Sequence, residues 1–281
     1  MKIGMAGASM MMTPWMDGIK SAAELGYNAF EIFGEFPQIE IGRVPKDQRN
    51  QGRKLAEQLE LALAVHAPFN DLNIASLNRG ILAESVRQMI EAVKFCRDLA
   101  GKAVVIHNGE YIIDQAIGDA FNQAKMIQWQ LNLDSLKRIC EQAEKSGVLV
   151  CLENCNFVGN KIERSLDDLL ILQKEVNSPN LKFALDIGHS RLAEGVETAI
   201  KKLGPEIRHI HFTDNLGKND DHLIIGEGDF DYSPFLDFIR NFPAIITLEV
   251  VKVGISPEPA QKSLANFRKI MGIDQACIKN V

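Results

Sequence analysis

The chain has 281 residues, of which 46% are hydrophobic and 24% are charged, and this composition excludes an intrinsically disordered protein. The formal net charge of −6 argues only weakly against a nucleic acid as the partner, because bound metal ions would cancel part of the carboxylate charge. No apolar run reaches the roughly 18 residues of a membrane span and no apolar signal core follows the N-terminus, so we expect a cytoplasmic protein without membrane contact.

Short apolar runs rich in β-forming residues recur along the chain, and each is followed by a segment with apolar residues at helical spacing. We predict eight strands, at residues 2–6, 28–33, 61–69, 103–108, 148–154, 181–187, 207–213 and 244–251. The predicted helices cover residues 17–25, 45–60, 82–100, 129–146, 165–176, 196–203, 232–240 and 257–271. Strands and helices therefore alternate along the chain.

This alternation predicts an α/β fold, a (β/α)8 TIM barrel with a closed parallel eight-stranded sheet. A doubly wound open sheet would show the same local periodicity and is the alternative. Gly26, Gly101 and Gly147 follow predicted helices, and we expect each of them to take the left-handed conformation that ends a helix. No linker interrupts the pattern, so we predict one domain, residues 1–281, in which residues 274–281 form a C-terminal tail.

The carboxyl ends of the strands carry the active site in a parallel barrel, and polar residues collect there in this sequence. Histidines or carboxylates occupy the ends of the last six predicted strands, and the loop after the seventh adds Asp220, Asp221, His222 and Glu227. Neutral imidazole and carboxylate are ligands of Zn²⁺, Mn²⁺ and Fe²⁺, so we predict a divalent metal site at this rim. The candidate ligands are His66, His107, Glu153, Asp186, His189, His211, Asp220, His222 and Glu249.

Three of these candidates carry the most weight. Glu153, Asp186 and Glu249 lie in otherwise apolar strands, where an unpaired carboxylate costs several kcal/mol and needs a cation. His66 and His107, taken alone, could equally be barrel histidines without a ligand. The three carboxylates therefore define the core of the predicted site.

Other polar residues near the rim have supporting roles in this interpretation. His209 lies two residues before His211, so it points to the same side of the strand, and we expect it to belong to the core or to support a ligand. Asn154, Asp214 and Glu227 could orient ligands, or they could simply cap loops.

The motifs of other chemistries are missing. There is no Walker A pattern, no GxGxxG motif after a strand and no GxSxG motif, so we expect neither a dinucleotide cofactor nor a serine nucleophile. The five cysteines form no CxxC pair, which is typical of reduced thiols.

Taken together, these motifs resemble those of the xylose-isomerase-like barrels, the AP endonuclease family 2, which includes endonuclease IV and many sugar isomerases and epimerases. His66-Ala67-Pro68-Phe69, Leu152-Glu153-Asn154 and Asp186-x-x-His189 resemble the endonuclease IV motifs of strands three, five and six. His211-Phe212-Thr213-Asp214 and Asp220-x-His222-x-x-x-Gly226-Glu227-Gly228 resemble its strand-seven signature. The resemblance covers essentially the whole chain, and its motifs are specific as a set.

The resemblance to endonuclease IV implies a cluster of up to three zinc ions, with Mn²⁺, Co²⁺ or Mg²⁺ as alternative metals. The three implied ligand sets are His66, His107 and Glu153; Glu153, Asp186, His211 and Glu249; and His189, Asp220 and His222. A sugar epimerase with a single ion would need only the second set.

Two departures from the family patterns bear on the substrate. The epimerases usually place a second Glu shortly after the strand-five Glu and an Arg shortly after the strand-seven His, and neither occurs in residues 155–160 and 215–219. Endonuclease IV has a loop rich in Gln and Arg after strand two, whereas residues 34–40 of this chain are acidic. Each departure therefore opposes a different substrate class.

Charge decides our preferred hypothesis. Three Zn²⁺ with four carboxylates leave a net positive site that attracts a phosphodiester, whereas one ion with three carboxylates leaves a net negative charge that suits a neutral polyol. We therefore prefer a zinc-dependent phosphodiester hydrolase that acts on abasic DNA, with Glu153 orienting the nucleophile. The alternative is a sugar or sugar-phosphate isomerase or epimerase, in which Glu153 and Glu249 act as the catalytic pair that exchanges a proton. A non-catalytic metal-binding or carbohydrate-binding barrel is the third hypothesis.

Overall fold

The computed structural model describes residues 1–112, 119–251 and 256–273, and these form a closed barrel of eight parallel strands. Each strand pairs with the next one in sequence, and the last strand pairs with the first. The predicted TIM barrel is therefore confirmed and the open sheet is excluded. The strands are β1 Lys2–Ala6, β2 Ala29–Phe33, β3 Ala62–His66, β4 Ala103–Ile106, β5 Leu149–Glu153, β6 Leu181–Asp186, β7 Ile207–Phe212 and β8 Ile245–Leu248.

The helices lie outside this barrel, and their positions follow the predicted ones closely except at two places. The helix before β5 begins at Asp119, well ahead of the predicted start at 129, and the helix directly after β6 was not predicted. The described helices are α1 Trp15–Leu25, α2 Lys46–Gln58, α3 Arg79–Asp98, α4 Asp119–Ser146, α5 Leu166–Val176, α6 Ile187–Leu192, α7 Val196–Leu203, α8 Leu236–Arg240 and α9 Glu258–Met271. None of them is long and apolar enough to cross a membrane.

Helix α6 begins where the sixth predicted strand was expected to continue. The side chain of Asp186 accepts a hydrogen bond from the backbone N–H of His189 at 2.6 Å, which is an N-cap. This cap ends β6 at Asp186 and turns the chain into a helix, so the predicted strand end at 187 is wrong. The consequence for the site is that His189 lies on the first turn of a helix directly above β6.

Two of the three predicted glycine caps are correct. Gly26 and Gly147 have φ values of +87° and +65°, in the left-handed region. After α3, however, Ala100 takes the left-handed conformation with a φ of +58°, and Gly101 does not. A Cβ on Gly101 would lie 2.7 Å from Sγ of Cys96, so glycine is needed at this position for close packing and not for its backbone conformation.

The strands alternate between two environments. Their outward side chains belong to a large apolar cluster that the helices cover. Their inward side chains form a much smaller apolar cluster of Ala103, Val105, Cys151 and Ala184, which fills part of the barrel interior. Because side chains alternate along a strand, Glu153 and Asp186 point inward above Cys151 and Ala184. The cysteines of the described residues are buried and free, while the predicted tail at 274–281 lies outside the described residues.

Candidate metal centre

All nine predicted ligand residues lie at the carboxyl end of the barrel. Closure of the barrel brings these residues together although they are distant in sequence. They border or underlie a cavity of about 410 Å³. They lie at the end of β3 (His66), just after β4 (His107), at the ends of β5 (Glu153) and β6 (Asp186), on α6 (His189), in β7 (His211), in the loop after β7 (Asp220 and His222) and just after β8 (Glu249).

The donor atoms of these residues fall into three groups. Within each group, one donor atom per residue lies within 4.8 Å of all the others. The structure therefore brings together each of the three sets that the resemblance implies, while their role as ligands stays a prediction. The groups are His66, His107 and Glu153; Glu153, Asp186, His211 and Glu249; and His189, Asp220 and His222.

Glu153 is the centre of the arrangement and is almost completely buried. Its Oε2 atom lies 3.0 Å from Nε2 of His107 and 3.4 Å from Nε2 of His66. Its Oε1 atom lies 3.1 Å from Nδ1 of His211 and 3.5 Å from Nδ1 of His189. Burial raises the pKa of Glu153, but the charges of His211 and His107 bring it well below its ordinary value. Glu153 therefore stays ionised between the first two groups.

Asp186 has a buried oxygen without a partner. Its Oδ1 accepts hydrogen bonds from the N–H of His189 at 2.6 Å and from the hydroxyl of Thr213 at 3.1 Å. Its Oδ2 has no hydrogen-bond partner among the described residues. Burial raises the pKa of Asp186 to about 6, although the charge of His189 lowers it. The side-chain amide of Asn154 fixes the backbone of Asp186, because Oδ1 of Asn154 accepts a hydrogen bond from the backbone N–H of Asp186 at 2.9 Å.

The third group is built around one carboxylate between two imidazoles. Asp220 lies 2.9 Å from Nε2 of His189 through Oδ2 and 3.2 Å from Nε2 of His222 through Oδ1. Burial lowers the pKa of His189, but Asp186, Asp220 and Glu153 raise it to about 10. Burial likewise lowers the pKa of His222, but Glu249, Asp220 and Asp186 raise it to about 9. Without a metal ion, these imidazoles therefore carry the positive charge that the surrounding carboxylates need.

The loop that carries Asp220 and His222 of this third group is held in a constrained conformation. Oδ2 of Asp214 accepts the backbone N–H groups of Gly226 at 2.8 Å and Gly228 at 3.0 Å. His222 has a φ of +43°, which is unusual for a residue other than glycine and marks stored strain. Asp214 thus supports the loop, as one of the two sequence interpretations expected, whereas Glu227 is exposed on its surface.

Glu31 of β2 was missed by our sequence interpretation. Its side chain is buried, with Oε1 at 3.0 Å from Nε2 of His211 and Oε2 at 2.5 Å from Nε2 of His209. Burial raises the pKa of Glu31, but these two histidines hold it well below its ordinary value. The signal was present in the sequence, because Glu31 is the one charged residue of the apolar strand Ala29–Phe33, just as Glu153 is in β5.

The cavity in front of the candidate ligands has both polar and apolar lining residues. The polar part contains seven of the nine candidate ligands together with Asn156 and Lys161 from the loop after β5. The Nζ atom of Lys161 forms an ion pair with Glu110 at 2.8 Å. The size of the cavity suits a small molecule. The apolar part of its lining consists of Ala8, Met11, Phe33, Phe69 and Val251, and the ring of Phe69 lies 4.7 Å from that of His107.

Comparisons with known proteins agree with this geometry. The family model described as "Xylose isomerase-like TIM barrel" matches residues 19–270. Fructoselysine 3-epimerase of Escherichia coli O157:H7 is 27% identical, over 98% of this chain and 100% of its own length. Probable endonuclease 4 of Mycoplasma pneumoniae is 27% identical, over 83% of each chain. The crystal structure of a D-tagatose 3-epimerase-like protein matches with a TM-score of 0.81 and 28% identity, covering 97% of this chain and 98% of the other.

Proposed function

We propose that this chain, which belongs to the xylose isomerase-like TIM-barrel family, is a metal-dependent epimerase or isomerase of a ketose or a ketose derivative. The observation that carries the proposal is that two carboxylates lie close to the same nitrogen of one imidazole. Glu153 and Glu249 lie 3.1 and 3.3 Å from the same nitrogen, Nδ1 of His211. The full-length similarity to an epimerase supports this alternative over the hydrolase that we preferred from the sequence.

The second ligand group fits a single divalent ion. Glu153, Asp186, His211 and Glu249 each offer one donor atom, and these atoms all lie within 4.8 Å of one another. A cation would also satisfy the buried Oδ2 of Asp186, which has no hydrogen-bond partner among the described residues. Such an ion would supply Lewis acidity, which polarises the carbonyl and hydroxyl oxygens of a ketose.

The distance between the two glutamates is compatible with proton exchange at one carbon atom. One carboxylate removes a proton from the carbon beside the carbonyl group, and the other carboxylate returns a proton to the opposite face of that carbon. The ligand oxygens of Glu153 and Glu249 lie within 4.8 Å of each other, so both can reach one carbon atom of a small sugar. Because Glu249 is only 12% exposed and Glu153 only 2%, bulk water has little access to either carboxylate.

Exchange of deuterium from solvent tests this function directly. The metal-loaded protein is incubated in D2O with a panel that contains D-fructose, D-tagatose, D-psicose, L-ribulose and fructoselysine, and deuterium beside the carbonyl group is measured by NMR. We expect exchange with at least one ketose, and we expect Glu249→Gln to reduce it about 100-fold or more. Glu175→Gln, at an exposed carboxylate on the outer helix α5, is the matched control and should retain full exchange. Absence of exchange across the panel with every divalent metal would refute the proposal.

A second candidate function, hydrolysis of a phosphodiester in DNA, is favoured by one specific observation. The groups His66–His107–Glu153 and His189–Asp220–His222 are not needed for a single ion, yet each brings its donor atoms together. Ions held by all three groups would supply the positive charge that a phosphodiester needs. The similarity to an endonuclease 4 points in the same direction.

Metal content separates the two functions. Protein purified without added metal or chelator should contain about one equivalent of a divalent ion if it is an epimerase, and about three equivalents if it is the hydrolase. Cleavage of a duplex with an abasic site is the matching activity assay. Three equivalents together with cleavage would establish the second candidate and reject the first.

A further inference from the structure

A buried hydrogen-bond network lies beneath the candidate ligand groups, and of its members only His211 has a role in the proposed chemistries. Glu31 extends from β2 across the barrel interior to three side chains of β7 and β8, all of which are fully buried. Its Oε1 accepts from Nε2 of His211 at 3.0 Å. Its Oε2 lies 2.5 Å from Nε2 of His209 and accepts the hydroxyl of Thr247 at 3.3 Å.

Stability alone is a poor explanation for this network. Removing a carboxylate and two imidazoles from water costs free energy that an apolar side chain of the same volume would avoid. No lysine or arginine contacts Glu31 among the described residues, and its close ionisable contacts there are the two histidines. A role that requires a carboxylate at this position is therefore more consistent with the chemistry.

The contact with His211 has a defined chemical consequence. An ionised carboxylate can only accept hydrogen bonds, so Nε2 of His211 must carry a proton wherever it contacts Glu31. A histidine that binds a metal ion must be neutral, so its other nitrogen then carries the lone pair. That nitrogen is Nδ1, the atom that faces Glu153 at 3.1 Å and Glu249 at 3.3 Å.

We propose that Glu31 is a positioning residue of the metal centre, which keeps the proton of His211 on Nε2 and thereby presents Nδ1 to the ion. His209 and Thr247 hold the second oxygen of Glu31 and so fix the plane of its carboxylate. The inference rests on the proposed ion among Glu153, Asp186, His211 and Glu249, but not on the identity of the substrate. Carboxylates that orient a metal-bound histidine in this way raise its affinity for the metal.

Two substitutions separate the charge of Glu31 from its hydrogen bond. Glu31→Met fills a similar volume but has neither the charge nor the hydrogen-bond acceptor. Glu31→Gln retains an acceptor for His211 but loses the charge. In the full-length protein, the affinity for Zn²⁺ and Co²⁺ is measured by competition with a chromophoric chelator. We expect Glu31→Met to weaken binding about 10- to 100-fold and Glu31→Gln to recover part of that loss. Glu175→Gln, at an exposed carboxylate on the outer helix α5, is the control, and it should bind the metal as the wild type does.

A second readout reports the tautomer itself. Nitrogen-15 NMR of the histidine side chains in the Zn²⁺-loaded protein should show the His211 proton on Nε2 in the wild type, and should show that proton lost or shifted in Glu31→Met. A folded Glu31→Met variant with wild-type affinity and the proton still on Nε2 would overturn the proposal. Failure of both Glu31 variants to fold would also overturn it, because the residue would then be structural.

The same measurements distinguish failure of this inference from failure of the proposed function. If the wild type binds the ion and Glu31→Met binds it equally well, the inference alone fails. If the wild type binds the ion and Glu31→Met does not, but no ketose exchanges deuterium, the proposed function alone fails. If the wild type binds neither Zn²⁺ nor Co²⁺, both fail together.

Discussion

Glu163 allows a quantitative prediction, because it is a fully buried carboxyl group outside the candidate ligand groups. Burial raises its pKa to about 7, although the neighbouring Cys155 and Lys161 lower it. The folded protein therefore binds the proton of Glu163 more tightly than the unfolded chain does. This contribution to stability is complete below the unfolded pKa of 4.5 and is lost as the pH rises through about 7. At 1.36 kcal/mol per pKa unit, the full change is about 3 kcal/mol, of which about 2 kcal/mol falls between about pH 5.5 and 8.5.

The substitution Glu163→Gln keeps the shape of the side chain and removes the titration. We expect the free energy of unfolding of the variant, relative to the wild type at the same pH, to rise by about 2 kcal/mol between about pH 5.5 and 8.5. Urea denaturation with linear extrapolation at both pH values measures this difference, in which every other titrating group cancels. The exposed Glu175→Gln variant should show no such change. A Glu163→Gln effect that is equal at both pH values would show that Glu163 is not protonated in the folded protein.

Further predictions concern the candidate metal centre and the loop beside it. Glu249→Gln should reduce deuterium exchange about 100-fold or more, since it removes one of the two proton-transfer groups. His107→Ala should leave most of that exchange if one ion suffices. If the variant instead loses DNA cleavage and about one equivalent of metal, measured by elemental analysis, the result would favour the three-ion hydrolase. Gly228→Ala should destabilise the protein by about 1–3 kcal/mol, because a Cβ would lie 2.1 Å from Oδ1 of Asp214, and thermal unfolding checks this. Removal of metal with a chelator should lower the melting temperature and abolish activity, and addition of a divalent ion should restore both.

Hydrophobic periodicity was sufficient to predict the fold, because each strand of a parallel barrel is an apolar run and each outer helix buries one apolar face. The errors occur where a single polar contact decides the local structure. The cap between Asp186 and the backbone of His189 ends β6 and starts α6. Close packing against Cys96 explains Gly101, for which we had expected a positive φ. Neither contact leaves a trace in the pattern of apolar residues.

The candidate ligands could be identified from the sequence because barrel topology places the ends of all eight strands on one rim. The same rule explains why Glu31 was missed, since we examined the ends of strands and Glu31 lies in the middle of β2. Its partners His209 and His211 belong to β7, so no local sequence motif connects them to it. A buried carboxylate in any barrel strand, and not only at its end, should therefore be treated as part of a network.

The number of ions, rather than the ligand set, determines which substrate this site can accept. Glu153, Asp186, Asp220 and Glu249 place four carboxylates around one cavity, and without a metal ion their charge is balanced by the raised pKa values of His189, His211 and His222. Counting carboxylates and metal ions alone, one divalent ion leaves a negative charge that favours a neutral ketose over a phosphodiester, while three ions leave a positive one. Our preference for a hydrolase assumed that every histidine at the rim is a ligand. The structure offers a second role for the histidines of the first and third groups, because His107 and His189 also lie within 3.0 Å of Glu153 and Asp220 and can pair with these carboxylates directly. His189, whose pKa is raised to about 10, can stabilise the charge of a one-ion site as an imidazolium, whereas burial lowers the pKa of His107, which can donate to Glu153 as a neutral imidazole. Nine ligand-type residues therefore do not by themselves require three ions.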